Sequence, residues 1–72
     1  MNTQAKYRII IVDDHLLFSQ SLELLINSFE KLEVIRSFQN GKDFIKFQLE
    51  NKHIPVDLVL MDGNIEDAGI FN

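Results

Sequence analysis

Three carboxylates carry the chemistry this chain could perform: Asp13 and Asp14, adjacent in the stretch DDH, and Asp62, which closes the run PVDLVLMD that begins at Pro55. Asp62 lies 49 and 48 positions beyond the other two, so only folding can bring the three together. Acids gathered at one point repel one another unless a cation neutralises them, so a converged trio asks for a hard divalent ion. With oxygen donors and no histidine or cysteine in the set, that ion is Mg²⁺, which keeps several waters and takes one or two protein carboxylates plus phosphate oxygens. Each acid alone also has an ordinary structural reading. Asp13 and Asp14 would serve as a turn and a helix cap, and Asp62 would end a strand.

The elements that must position these acids follow from the hydrophobic pattern. Ile9 to Val12 are four consecutive β-branched residues, led in by Tyr7 and Arg8, and read as a buried central strand. The chain breaks at Asp13 to His15 and changes period: Phe18, Leu22, Leu25 and Phe29 recur at helical spacing, with Gln20, Glu23 and Asn27 opposite. Asp14 or His15 falls at the N-cap of that helix. Glu33 to Phe38 reads as an edge strand carrying Arg36, and Gln39 to Gly41 as a turn. A second helix is predicted from about Lys42 to Asn51, with Phe44, Ile45, Phe47 and Leu49 forming a broad apolar stripe. Val56 to Met61 is nearly continuous apolar sequence, as in a strand buried on both faces of a parallel sheet, and the glycines and polar residues of 63–72 give that tail a loop composition.

The order βαβαβ, with helix-length connections, implies parallel strands. In a doubly wound sheet the first strand is central and the third lies beside it, a 2-1-3 order that brings Asp13, Asp14 and Asp62 to one carboxyl edge, where such sheets bind ligands.

Composition narrows the function classes. The apolar content of 46% is too high for a disordered tail, and the absence of cysteine rules out a disulfide or thiolate framework for so small a core. A net charge of −4 with dispersed basic residues argues against nucleic-acid binding by this segment. No signal-peptide pattern is present and no apolar run approaches the roughly 20 residues that span a bilayer, so the expectation is a cytoplasmic domain without membrane contact. GxGxxG is absent, which disposes of a dinucleotide fold. His15 is read as a helix-start residue facing solvent rather than a ligand, His53 as part of a polar connection, and most of the phenylalanines as core.

The stretch IIIVDDHLLF (Ile9 to Phe18), the turn at Asn40 and Gly41, and VDLVLMDGN (Val56 to Asn64) together resemble the receiver domain of two-component response regulators, the CheY-like family. DDH followed by LLF is most similar to the subfamily with a C-terminal helix-turn-helix output domain. The resemblance implies a flavodoxin-like α/β fold, here a partial receiver over 1–72 truncated to its first three strands and two helices. It implies Asp62 as phosphoacceptor, a Mg²⁺ site formed by Asp13, Asp14, Asp62 and the backbone carbonyl of Asn64, with Asp14 the more direct ligand of the acid pair, and a sensor histidine kinase as partner. The chain departs from the family pattern at Glu66, where a proline is usual, and at Gly69, one place early. The family's hydroxyl residue after its fourth strand and its lysine after the fifth have no counterpart, and none of Lys42, Lys46 or Lys52 takes the lysine's place.

These readings predict a phosphoacceptor signalling domain rather than an enzyme, with weak or no phosphorylation of the isolated chain, and an uncovered third strand prone to self-association or homodimer formation. Two alternatives remain. One is a phosphorylation-incompetent receiver fragment acting as a protein-interaction module through its first helix. The other is an acid-cluster phosphohydrolase, for which no general acid is evident.

Overall fold

The computed structural model describes residues 5–62. Five elements follow in order: β1 (Tyr7–Val12), α1 (Leu16–Asn27), β2 (Leu32–Phe38), α2 (Gly41–Glu50) and β3 (Leu58–Met61). The strands form one parallel sheet in the order β2-β1-β3, the 2-1-3 arrangement expected of a flavodoxin-like α/β fold. The tail 63–72, including Asn64, Glu66 and Gly69, lies outside the described residues.

β1 is the centre of the molecule. Ile9, Ile10, Ile11 and Val12 are all buried, and because successive strand residues face opposite sides, they feed two separate cores. Ile9 and Ile11 pack with Ile26 of α1, joined by Leu22, Leu32, Val34 and Leu60. Ile10 and Val12 pack with Phe44 of α2, joined by Phe38, Ile45, Phe47 and Val59 among others. The helices therefore cover opposite faces of the sheet. Burying each such aliphatic side chain contributes about 1.5–3 kcal/mol, which makes β1 the principal source of stability.

β2 carries one irregularity that the pattern of its side chains had hidden. Ile9 pairs with Val34 but Ile10 pairs with Arg36, so Ile35 is an extra residue in the ladder. Strict alternation would place residues 35 and 38 on opposite faces; the bulge resets it, and Ile35 and Phe38 both reach the α2 core. Just before the bulge, the Val34 N–H donates to Asn27 Oδ1 at 2.9 Å, tying the end of α1 to the strand.

α2 begins one residue earlier than the stripe suggests. Asn40 is its N-cap: Oδ1 accepts from the Asp43 N–H at 2.8 Å, and Asn40 Nδ2 donates back to Asp43 Oδ2 at 3.1 Å. Gly41 is thus the first helical residue rather than part of a turn. Leu49, assigned to the apolar stripe, is exposed.

Two further expectations are corrected. In α1 the inward stripe is Ser19 and Ile26, both buried, with the half-buried Leu22 between them, whereas Phe18 and Leu25, and Phe29 beyond the end of α1, are each more than half exposed. Ser19 faces the sheet because it is small, and its hydroxyl donates to the Leu16 carbonyl at 3.0 Å, which satisfies it locally. β3 is not buried on both faces: Leu58 is exposed and Val59, Leu60 and Met61 are half-buried. Its only neighbour among the described residues is β1, so it stands at a sheet edge.

Candidate functional site

The site forms where β1 and β3 end side by side. At the end of β1 the Asp13 N–H donates to the Phe38 carbonyl at 2.9 Å, and at the end of β3 the Asp62 N–H donates to the Val12 carbonyl at 3.0 Å. The ladder itself therefore continues into the two acids and fixes their separation. At the other end of β3, Asp57 makes a matching clamp: its N–H donates to the Arg8 carbonyl at 2.8 Å and its Oδ2 accepts from the Arg8 N–H at 2.7 Å. Asp57 was passed over in the sequence because it reads there only as a polar interruption of the run from Val56 to Met61. Its role is to hold the register that delivers Asp62.

Asp13, Asp14, His15 and Asp62 each offer a ligand atom within 4.8 Å of the others. The predicted convergence of the three carboxylates is present. They differ in environment: Asp13 is buried, the Asp62 side chain is 17% exposed and that of Asp14 is 52% exposed. The buried Asp13 is satisfied by its own loop, with Oδ1 accepting from the His15 N–H at 2.8 Å. Asp14 is not a helix cap. His15 is the N-cap residue, in an extended conformation (φ −94°, ψ 95°), and no side chain caps the helix.

His15 stands where the sequence places it, at the start of α1, but its ring makes contacts that the sequence did not show. Its side chain is 65% exposed, as expected, but Nδ1 turns inward and lies 3.0 Å from Asp14 Oδ1, 3.2 Å from Asp13 Oδ1 and 3.4 Å from Asp62 Oδ2. Its pKa is raised above the ordinary imidazole value, chiefly by the hydrogen bond to Asp13 and then by the charge of Asp14, with smaller contributions from the charges of Asp13 and Asp62 and some opposition from desolvation. The premise that no histidine stands near the acids is therefore wrong, because the loop returns the ring of the third residue of DDH onto the first two.

The donor set suits a divalent cation. Asp13, Asp14 and Asp62 supply hard oxygens, and the exposure of Asp14 leaves room for water or a phosphate oxygen on the open side. Beside Asp13 and Asp62 a groove of about 400 Å³ runs between α1 and β3, walled by Ile11, Phe18, Leu22, Leu60 and Met61. Among the described residues no helix is long and apolar enough to cross a membrane.

Comparison with known proteins agrees with this geometry. The chain is 42% identical over 60 residues to Protein MrkE of Klebsiella pneumoniae, covering 83% of this chain and 21% of that protein. It is 36% identical over 58 residues to transcriptional regulatory protein YpdB of Escherichia coli K12, covering 81% of this chain and 22% of that protein. The chain thus spans about a fifth of the length of these curated relatives. No family model matches it. No solved structure matches it either. The relatives, the 2-1-3 parallel sheet and the acid cluster together support a receiver-like domain.

Proposed function

We propose that this chain is the receiver portion of a two-component response regulator, with Asp62 as the phosphoacceptor and Asp13, Asp14 and Asp62 holding Mg²⁺. The observation that carries this reading is the meeting of acids from the ends of β1 and β3 within 4.8 Å at one edge of the sheet. A phosphohistidine on a sensor kinase, or a small acyl phosphate, is the donor. A carboxylate oxygen of Asp62 attacks phosphorus in line; the O–P bond forms as the P–N bond to the donor imidazole, or the P–O bond of the acyl phosphate, breaks, and the leaving group departs with the electron pair. Mg²⁺, when bound, offsets the charge on the transferring oxygens. Asp13, buried and fixed by its bond from the His15 N–H, sets the floor of the site, and Asp14 faces the entering phosphoryl group from the open side. The family resemblance would assign the Asn64 backbone carbonyl to the same ion, and Asn64 lies outside the described residues. The domain acts as a signalling acceptor rather than an enzyme on an external substrate. The printed role of the relative YpdB makes transcription the natural output of a longer protein.

Intact mass spectrometry after incubation with Mg²⁺ and an acyl phosphate, or with a phosphorylated kinase, tests the proposal. A phosphoryl adduct of low yield, in keeping with the weak phosphorylation expected of these 72 residues alone, is expected in the wild type and none in Asp62→Asn; an adduct of equal yield in Asp62→Asn would overturn it. A second reading, an interaction module that takes no phosphate, draws on the apolar residues exposed along α1, Leu17 at 79% and Leu24 at 75%. A folded chain that binds kinase but never gains the adduct would favour that reading.

A further inference from the structure

The end of the sheet remote from the acid cluster carries charge of the opposite sign. Arg8 lies near the start of β1, five strand steps of about 3.3 Å before Asp13, and strand alternation puts it on the face of Ile10 and Val12, which α2 covers. A groove of about 310 Å³ opens there, lined by Arg8, Ile35, Arg36, Phe47 and Ile54. Its walls are apolar and its charged groups are two guanidinium ions.

Both arginines are held in place. Asp57 clamps the backbone of Arg8, donating its N–H to the Arg8 carbonyl at 2.8 Å and accepting the Arg8 N–H on Oδ2 at 2.7 Å. Arg36 lies over Phe47, with Cζ 5.5 Å from the ring centroid, and its Nη1 donates to the Ile35 carbonyl at 3.0 Å. That bond leaves most of the guanidinium donors unspent. Among the described residues the ion pairs all lie in the acid cluster, so neither arginine has a carboxylate partner. Arg8 is half-buried, and a charge partly withdrawn from water without a counter-charge is stabilised by an anion brought to it. Glu33 stands opposite Arg8 in the β1–β2 register yet forms no ion pair with it, and Asp57 Oδ2 is taken by the Arg8 N–H. We propose that this groove is a binding site for a small carboxylate carried on an apolar body, with the Arg8 and Arg36 guanidinium groups on the carboxylate and Ile35, Phe47 and Ile54 against the body. The planar fork of a guanidinium matches a carboxylate in two parallel bonds. A phosphate matches it too, but its second charge meets more repulsion from Glu33 and Asp57, so the singly charged group is favoured. The volume is at the small end of ligand sites and suits a body about the size of one phenyl ring with a short chain.

The test is a titration of the 72-residue chain with hydrocinnamate, followed by amide and aromatic proton shifts. Saturable shifts are expected at Phe47, Ile35 and Ile54. Hydrocinnamyl alcohol, which has the body without the charge, and acetate, which has the charge without the body, should each bind about tenfold or more weakly. Arg8→Gln and Arg36→Gln should each weaken hydrocinnamate binding by about tenfold, with Arg36→Lys intermediate because it keeps the charge and loses the fork. Glu33→Gln should strengthen binding by about two- to threefold, a gain that a damaged fold would not produce. No saturable shift in the wild type, or shifts centred on the α1–β3 groove at Phe18 and Leu60, would overturn the proposal. So would equal affinity for the alcohol or for acetate, tighter binding of phenyl phosphate than of hydrocinnamate, or unchanged affinity in both arginine variants.

Discussion

Asp13, Asp14 and Asp62 play unequal parts although they share one site. Asp13 is buried and locally bonded, so it shapes the loop; Asp14 is exposed on the open side; Asp62 sits at a strand end beside the apolar groove. The convergence was legible because both apolar runs stop at an acid and a doubly wound order makes those runs neighbours. The inward turn of His15 was not legible, because ring orientation in a short loop depends on χ angles and partner positions that leave no period in the sequence. With metal removed by a chelator, His15 should titrate above the ordinary imidazole range and Asp14→Asn should bring it down, as followed by the ring proton shifts against pH. The sign follows from the raised value: protonated His15 favours the folded state, fully so below its unfolded-state pKa, and this contribution fades as pH rises through the higher folded-state value. An unshifted His15 in the chelated protein would contradict the geometry.

Among the elements, β1 and α2 can be perturbed with the clearest expectations. Phe44 is the buried anchor of the α2 core, with its ring centroid 6.0 Å from that of Phe38. Phe44→Ala should cost about 3–5 kcal/mol, a large part of the stability of so small a domain. Asn40→Ala removes the cap of α2 and should cost about 1 kcal/mol, with Asn40→Ser restoring most of it; urea titration followed by circular dichroism measures both. A cost for Asn40→Ala near zero would mean that the helix start is held by packing alone. α1 shows why its buried face could not be chosen from sequence. Leu16, Leu17, Phe18, Leu22, Leu24, Leu25 and Ile26 surround the axis on several sides, so more than one stripe fits the helical period. The small Ser19 selects the stripe that the sheet takes, because it permits close approach beside Ile26. The bulge at Ile35 was equally hidden, since an extra β-branched residue in a strand reads as one more strand residue.

At the scale of the molecule, the described residues form a sheet with two covered faces and apolar side chains left outside both cores. Leu17, Phe18, Leu24, Leu25 and Leu58 are all at least 49% exposed, and β3 has one strand neighbour. Surface of that kind in a small domain favours association. Sedimentation of the 72-residue chain should show a mass that rises with concentration, and Leu17→Lys with Leu24→Lys should suppress the rise; a strictly monomeric wild type across the accessible range would count against this expectation. The strand order and the alternation of β1 between two cores were readable because parallel βαβ units allow few arrangements. The exposure of β3 was not, because an apolar run gives the same signal at the centre of a sheet as at its edge.

The central claim is that acids from two strand ends make one phosphoacceptor site at Asp62. Its most direct measurement is peptide mapping of the chain after treatment with Mg²⁺ and an acyl phosphate, followed by borohydride reduction, which converts an aspartyl phosphate to homoserine. The expected result is homoserine at position 62 alone in the wild type, in the low yield expected of these 72 residues by themselves, and a lower yield still in Asp14→Asn. Homoserine at another aspartate, or an unchanged yield at position 62 in Asp14→Asn, would contradict the account.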